Sequence, residues 1–398
     1  MRRLARRLYA HAFAEDFVPL YPLYALLFTG HGLSDAQVSS LFALWSATSV
    51  LLEVPTGLWA DSSSRRRLLT VAPLPVAAAW ALWTFAPCYA SFAAGFVLWG
   101  VGGALRSGAL QALVYEELVR LGEAGAYARL TGRSQAVGTT AVVAATALAG
   151  PLLSVGGYPA VGAVSIAATL LAVPVARSLP ESRDRPGPGG GAEPDGRAGP
   201  GDGAEPDGRA AEAGRASGVL RAGLAEVRRA PVVRRRLLLL AGLLGLGALD
   251  EYVPLVAGAT GAGPSTVPLL VLLVTAGTAA GGWLADRGGG RAAGVLAVAA
   301  VCLAEGAASG RPAGTALVAV AFGALQWAQA AAEARLQDAV GDGARATVSS
   351  LAGVGSEAAS VLLYGAWALG SAWAPPGVLL ALAAGPFLAA ALSLRRSR

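Results

Sequence analysis

The chain consists largely of apolar runs that are long enough to cross a lipid bilayer as helices. They lie at 8–28, 36–60, 68–86, 90–114, 130–153 and 159–179, and again at 234–258, 265–286, 291–309, 313–334, 345–370 and 374–394. A membrane-spanning helix needs about 20 apolar residues, whereas a spanning strand needs about half as many and alternates in polarity. Because backbone groups in lipid must be hydrogen-bonded within the chain, we expect an all-α membrane protein with twelve transmembrane helices.

The composition supports this class of protein. Charged residues make up only 14% of the 398 residues, against about 25% in soluble domains. The net charge of +6 comes from arginines alone, since the chain has no lysine. These arginines lie in loops between apolar runs and form no basic face, so no nucleic-acid partner is expected.

The arginines also predict the orientation of the chain in the membrane, because cytoplasmic loops carry the excess of positive charge. They cluster at both termini and in alternate loops, for example at Arg65, Arg66 and Arg67, while the opposite loops hold only Arg311. We therefore expect a multi-pass protein of the cell (inner) membrane, with both termini cytoplasmic.

A polar stretch divides the runs into two sets of six. Residues 180–231 contain Gly-Ala-Glu-Pro-Asp-Gly-Arg-Ala twice, at 191–198 and 203–210. Such a sequence cannot bury a core, so we predict a disordered cytoplasmic linker. The predicted domains are a six-helix bundle at 1–179, the linker at 180–231 and a six-helix bundle at 232–398.

Short motifs recur in corresponding spans of the two sets. Gly57, Asp61 and Arg66 match Gly282, Asp286 and Arg291, 225 residues further on. The segment 15–20, Glu-Asp-Phe-Val-Pro-Leu, is echoed by Asp-Glu-Tyr-Val-Pro-Leu at 250–255. Two like bundles in the same orientation imply a parallel pseudo-two-fold axis along the membrane normal, with a cavity between them.

The first hairpin, at 57–67, resembles the G-x-x-x-D-(R/K)-x-G-(R/K)-(R/K) signature between helices two and three of the major facilitator superfamily of secondary transporters. The segment 282–291 resembles that family's weaker copy between helices eight and nine. Ser62 and Ser64 depart from the pattern in the first copy, and Gly290 departs in the second. The resemblance implies the fold of that family and a monomeric transporter of a small molecule, with no enzymatic activity and no cofactor.

The resemblance also implies that the hairpins form a gate that holds the two halves together in one state of the transport cycle. The gating candidates are Gly57, Asp61, Arg65, Arg66, Gly282, Asp286, Arg287 and Arg291. The alternative for the arginines is that they only determine topology.

Ionisable residues at membrane depth are costly unless they face a cavity or a partner. In the superfamily, spans one, four, seven and ten line the cavity, which makes Glu15, Asp16, Arg106, Asp250 and Glu251 candidates for proton coupling. One carboxylate would carry the proton, with Arg106 as its counter-charge; the alternative is a static ion pair. Adjacent helical positions point about 100° apart, so at most one acid of each pair should face the cavity squarely.

Aromatic and amide residues in the same spans are candidates for contact with the substrate. They are Tyr21, Tyr24, Trp99, Gln111, Tyr115, Tyr252, Gln326, Trp327 and Gln329. Each is alternatively a packing residue or part of an interfacial aromatic belt.

The acidic pairs and an apolar, aromatic cavity favour proton-coupled efflux of an amphipathic compound. Gly138, Gly150, Pro151, Gly156 and Gly157 partly resemble the antiporter motif of drug/proton exporters in the superfamily. The alternatives are a proton-coupled uptake symporter of a sugar or other metabolite and, in another class, a lipid flippase or a non-transporting receptor. The sequence shows no catalytic triad, metal cluster or nucleotide-binding glycine loop, which argues against an enzyme.

Overall fold

The computed structural model describes residues 1–62, 64–181, 229–284, 291–340 and 345–396, with the backbone alone at 53–55, 57–62, 128, 345–347 and 396. The central part of the predicted linker, Asp286 and Arg287 lie outside these residues. Within the described ranges the chain is helical and contains no strand, which confirms the all-α fold.

The helices of the first half are α1 (Arg2–Asp16), α2 (Tyr24–Gly30), α3 (Asp35–Ser62), α4 (Arg65–Val71), α5 (Pro73–Phe85), α6 (Tyr89–Arg120) and α7 (Tyr127–Ser178). Those of the second half are α8 (Pro231–Leu246), α9 (Val253–Ala259), α10 (Val267–Trp283), α11 (Ala292–Ala308), α12 (Thr315–Gln337), α13 (Arg345–Gly370), α14 (Pro376–Leu382) and α15 (Ala384–Arg396).

These helices form the twelve spans that the apolar runs predict. In order, the spans are α1 with α2, α3, α4 with α5, α6, the two arms of α7, α8 with α9, α10, α11, α12, α13, and α14 with α15. Among the described residues, five stretches qualify by themselves as membrane spans by length and composition: Arg65–Phe85, Tyr89–Arg120, Ala124–Ser178, Pro312–Gln337 and Pro376–Arg395. The first, third, seventh and twelfth spans each consist of two shorter helices.

The breaks in the first and seventh spans occur at the repeated acidic motif. In the first span, a non-helical turn that contains Pro19 and Pro22 separates α1 from α2. In the seventh span, a 3₁₀ segment at Gly247–Tyr252 lies directly before α9, which has Pro254 in its first turn. Proline has no backbone N–H to donate and clashes with the preceding turn, so both copies of the motif interrupt their helix.

The packing of the helices repeats between the halves. In the first half α1 packs on α7, α3 on α6, α5 on α6 and α5 on α7. In the second half the equivalent pairs are α8 with α13, α10 with α12, α11 with α12 and α11 with α15. This equivalence is the parallel pseudo-two-fold that the sequence repeats predict.

The glycines of the partial antiporter motif lie mainly at the junction of spans five and six. Gly156 and Gly157 break α7 into its two arms, and Gly157 has a φ of +63°, a conformation that suits glycine. The paired glycines therefore have a structural role in joining two spans.

Candidate substrate cavity

A cavity of about 1450 Å³ lies between the two halves. It is lined by spans one, two, four and five of the first half and by spans seven, eight and ten of the second. Its aromatic residues are Tyr21, Tyr24, Trp45, Trp99 and Trp283; its polar and acidic residues are Gln135, Thr139, Thr140, Thr146, Asp250, Glu251, Thr275, Thr278 and Gln326.

The cavity is closed at the end of the molecule opposite the termini. There the hydroxyl groups of Ser39, in span two, and Tyr252, in span seven, lie 2.7 Å apart in a hydrogen bond. The Tyr252 ring, which is fully buried, stacks on Trp367 of span eleven at 3.8 Å. Phe42 packs edge-on to Tyr252 at 5.5 Å. We call these four side chains the latch, because they join the two halves.

The cavity opens toward the end of the molecule where both termini lie. Gln135, near the start of span five, and Trp283 and Leu284, at the end of span eight, belong to its lining. The Trp283 side chain is 89% exposed. The described structure is therefore open at one end and closed at the other.

The first half forms one wall of the cavity from stacked aromatic rings. Trp99 lies between Tyr21, at 5.5 Å, and Trp45, at 4.8 Å, with interplanar angles of 21° and 17°. Behind it, Trp80 donates from its indole N–H to Thr169 Oγ1, and Trp83 donates to the carbonyl of Phe92, each at 3.1 Å. This buried second layer packs against Tyr21 and Trp99, and Trp45 stacks on Trp99. We call the rings of Tyr21, Trp99 and Trp45 the aromatic wall.

The second half contributes two carboxylates to the cavity. Asp250 and Glu251 lie on the 3₁₀ segment of span seven, and both belong to the lining. Asp250 is exposed and Glu251 is partly buried. In the described part of the chain, no arginine or histidine lies within ion-pair distance of either.

The equivalent acids of the first half lie outside the cavity lining. Glu15 Oε2 lies 3.1 Å from Arg106 Nη1 and 3.3 Å from Nδ1 of His11, a side chain only 1% exposed. Asp16 lies against Gly138, where an added Cβ would meet its carboxylate oxygen. The pair at 15–16 therefore agrees with the expectation that at most one acid of each pair faces the cavity, whereas both acids at 250–251 belong to the lining.

Of the predicted cavity residues, Tyr21, Tyr24, Trp99 and Gln326 line the cavity. The others lie elsewhere: Gln111 and Tyr115 are exposed, and Tyr115 packs edge-on to Tyr127. Tyr252 belongs to the latch. Gln329 is buried and donates from Nε2 to the carbonyl of Leu243 at 2.8 Å. Trp327, of the same helix, is buried in the main core.

Sequence reasoning missed the threonines of spans five and eight. Thr139 and Thr146 are seven residues apart and Thr275 and Thr278 are three apart, spacings that place each pair on one helical face. A search for polar residues at helical spacing inside apolar runs would have found them.

The first hairpin is tied to its own half. Ser64 caps α4 by accepting from the N–H of Arg67 at 3.2 Å. Arg65 pairs with Glu116 of span four, and the backbone N–H of Arg66 donates to Glu181, after span six, at 3.3 Å. Gly57 and Asp61 lie in the last turns of α3, where only the backbone is described. In the second hairpin, Gly282 lines the cavity and Arg291 is exposed.

Two six-helix bundles with a central cavity define a membrane transport protein. The chain belongs to the Major Facilitator Superfamily, whose sequence model matches residues 10–364. This membership makes the protein a transmembrane transporter and not an enzyme.

Solved structures share the fold over the full length of the chain. A bacterial homologue of the human lysosomal transporter Spinster, in an inward-facing and unoccupied conformation, has 16% identity and a TM-score of 0.65, with 100% of this chain and 97% of that chain covered. A nucleoside transporter has 12% identity and a TM-score of 0.71, with 99% of each chain covered. A D-xylose–proton symporter has 15% identity and a TM-score of 0.61, with 98% of each chain covered. No curated protein matches the sequence.

Proposed function

We propose that the protein is a proton-coupled secondary transporter that exports a small amphipathic compound by alternating access. The observation that carries this proposal is the pairing, in one cavity between the halves, of an aromatic wall with two carboxylates that have no ion-pair partner among the residues that the structure describes. The wall suits an apolar body, and the acids suit reversible proton binding.

The acids of the two halves differ in their suitability as proton carriers. Withdrawal from water favours the neutral form of a carboxyl group, whereas a neighbouring cation favours its charged form. Arg106 lies against Glu15, while no cation among the described residues lies against Asp250 or Glu251. We therefore assign the coupling proton to Asp250 or Glu251 and treat Glu15 and Arg106 as an ion pair within the first half.

Proton flux in liposomes tests this assignment. Purified protein is reconstituted with a pH-sensitive dye inside, a proton gradient is imposed, and amphipathic drugs, sugars and amino acids are added in turn. We expect proton flux with amphipathic compounds, opposite in direction to the compound, and its loss in Asp250→Asn or Glu251→Gln. Glu305→Gln, which changes an exposed acid of span nine outside the cavity lining, should keep the flux. Full coupled flux in both cavity variants would refute the assignment.

A proton-coupled uptake symporter is the second candidate, favoured by the hydroxyl and amide groups of spans five, eight and ten in the cavity. The same assay separates the two functions. Flux with sugars or other metabolites only, moving in the same direction as the proton, would establish the symporter and exclude export of an amphipathic compound.

The proposal includes a location in the cell (inner) membrane, with both termini and the linker in the cytoplasm. In this orientation the described state opens inward. A protease site placed in the linker tests it. Cleavage should occur in inside-out vesicles and not in sealed right-side-out vesicles. The opposite pattern would invert the orientation.

Within this transport cycle, Asp61 and Asp286 act at the gate. The arginines of the first hairpin attach that hairpin to the first half, through Glu116 and Glu181. Asp61→Asn should then reduce transport without reducing the amount of protein inserted in the membrane. Unchanged transport in Asp61→Asn would exclude the gating role of that residue.

A further inference from the structure

We infer that the transported compound is a lipophilic organic cation, bound with its positive charge between the carboxylates of span seven and the aromatic wall of the first half. This inference rests on the proposed function, because it names the substrate class of the same cavity. It is carried by the charge, hydrogen-bonding capacity and ring geometry of the lining.

The charge of the lining selects a cation. The described residues that line the cavity include Asp250 and Glu251 and no arginine, and the chain has no lysine at all. Arg106 lies outside the lining and is already paired with Glu15. An anionic ligand would meet two carboxylates in a partly apolar cavity with no cation among these residues to offset them, which is unfavourable.

The threonines of the lining reinforce this preference. The hydroxyl groups of Thr139, Thr140, Thr275 and Thr278 each donate to the carbonyl four residues earlier in their own helix, at 3.0, 2.8, 3.1 and 3.1 Å. A hydroxyl group has one donor, so while these bonds are kept each oxygen can accept from a ligand but has no hydrogen left to donate to it. In this arrangement the threonines favour a cation over an anion.

The aromatic wall provides the second half of a cation site. The faces of Trp and Tyr rings attract a cation placed within about 6 Å of the ring centroid. Both faces of Trp99 are covered by Tyr21 and Trp45, so the ring that offers a face to a cation is Trp45, which is partly exposed and stacks on Trp99 at 4.8 Å. Trp99 packs in turn on the buried rings of Trp80 and Trp83. The stack is therefore positioned before a ligand arrives, which reduces the entropy lost on binding.

The cavity has room for a bulky ligand. Its 1450 Å³ exceeds the range of about 300–1,000 Å³ that is usual for drug-sized ligands. A cation between Asp250 and Trp45 touches both halves of the transporter, so its binding is sensitive to their relative position. The fitting ligand has one positive charge inside a broad apolar or aromatic body.

Binding of two probes of the same shape and opposite charge tests the inference. The probes are tetraphenylphosphonium and tetraphenylborate, added to the purified full-length protein in lipid nanodiscs, with empty nanodiscs as the background. We expect saturable binding of the phosphonium ion and none of the borate ion. Asp250→Asn and Glu251→Gln should each weaken phosphonium binding by about tenfold or more, and Glu305→Gln should leave it unchanged.

The aromatic wall has its own pair of variants. Trp45→Leu should weaken phosphonium binding by about three- to thirtyfold, because it removes a cation–π contact, whereas Trp45→Phe should retain most of the affinity. Circular dichroism and a thermal unfolding scan show whether each variant is folded.

Equal saturable binding of both probes, or unchanged phosphonium affinity in the two carboxylate variants, would overturn the inference. Because binding needs no gradient, its failure is distinct from that of the proposed function. Charge-selective binding without proton flux would sustain the cation site and reject proton coupling. Proton-coupled flux with neutral compounds and no phosphonium binding would support proton coupling and reject the cation site.

Discussion

The acids of the repeated motif differ in their partners although their sequences correspond. Glu15 contacts Arg106 and His11, whereas Asp250 and Glu251 face the cavity. The cause lies in the neighbouring spans. Span four supplies Arg106, which pairs with Glu15. The equivalent span ten instead supplies Gln326, which lines the cavity, and Gln329, which donates to the backbone of α8. A duplicated motif has thus acquired two environments.

The ion pair of the first half should contribute to stability. Arg106→Gln leaves Glu15 charged in a largely buried place and should lower the free energy of unfolding by about 1–2 kcal/mol, below the roughly 3–5 kcal/mol of fully buried pairs, since the Arg106 side chain is 38% exposed. Thermal unfolding of the purified protein measures the change as a lower Tm.

The control for this prediction is the double variant Glu15→Gln with Arg106→Gln, which removes both charges. It should recover most of the lost stability. A double variant as unstable as Arg106→Gln alone would show that the arginine acts through packing and not through its charge.

The sequence identified the ionisable residues of the spans but not their partners. Charged residues inside apolar runs are visible in any sequence, so Glu15, Arg106, Asp250 and Glu251 were found directly. Their contacts depend on helix rotation, and the breaks at Pro19 and Pro254 shift that rotation from an ideal helix. For the same reason Tyr252, a predicted cavity residue, lies in the latch.

At the scale of helices, spans eight and ten approach closely through small residues. Gly277 and Gly281 of α10 lie against Ala319 and Gly323 of α12. A Cβ at Gly281 would overlap the carbonyl oxygen of Gly323, a backbone atom that cannot turn aside. Small residues four apart permit such contacts in membranes, where packing replaces the hydrophobic effect as the force between helices.

Gly281→Ala should therefore destabilise the second half by about 1–3 kcal/mol, because a methyl group is forced between two backbones. The Tm of the purified protein measures this effect. The matched control is Gly294→Ala in α11, where a Cβ would meet no atom within 4 Å. That variant should be neutral or slightly stabilising, owing to the helix propensity of alanine. Equal losses in both variants would contradict the close-packing explanation.

The helices themselves were largely predictable. Long apolar runs give the number and order of the spans, since lipid leaves few alternatives to a helix. The interruptions are harder to predict. A proline in a membrane helix either kinks the helix or breaks it, and the outcome depends on whether neighbouring helices provide hydrogen-bond partners for the backbone groups that the proline frees. Pro151 lies inside the continuous first arm of α7, whereas Pro19 lies in a complete break.

At the scale of the whole molecule, the latch fixes which end of the cavity is closed. Tyr252→Phe removes the hydrogen bond to Ser39 and keeps the stacking on Trp367. A net hydrogen bond contributes about 0.5–1.5 kcal/mol, so the equilibrium should shift about two- to tenfold toward the state open at this end. Spin labels at positions 30 and 263, on a background with Cys88 and Cys302 replaced by serine, should report a larger population of long distances.

The control is Ser40→Ala, which removes a bond of similar chemistry, 2.9 Å from Ser40 Oγ to Tyr89 OH, within the first half. It should leave the distance distribution unchanged. A shift of equal size in Ser40→Ala and Tyr252→Phe would show that the latch bond has no special effect on the equilibrium between the two states.

The sequence indicated two halves and a cavity but not the state of the molecule. Spans two and seven supply residues to both the cavity and the latch, and which end is closed depends on energy differences of a few hydrogen bonds and stacked rings. Ser39 carries no signal of its own, because a serine in an apolar run usually bonds to its own helix. Its hydroxyl does donate to the carbonyl of Asp35 at 2.8 Å, and it also contacts Tyr252, 213 residues away.

The broken seventh span has a consequence for how the protein is made. A carboxylate at the centre of an inserting helix costs about 2.5–3.5 kcal/mol, and this span carries two, next to a helical break. The first span carries Glu15 and Asp16 in the equivalent place. Each half thus begins with a segment that the insertion machinery should release poorly into lipid on its own. We expect both segments to wait at the translocon until later spans shield their acids, so that the order of synthesis and the order of membrane entry differ.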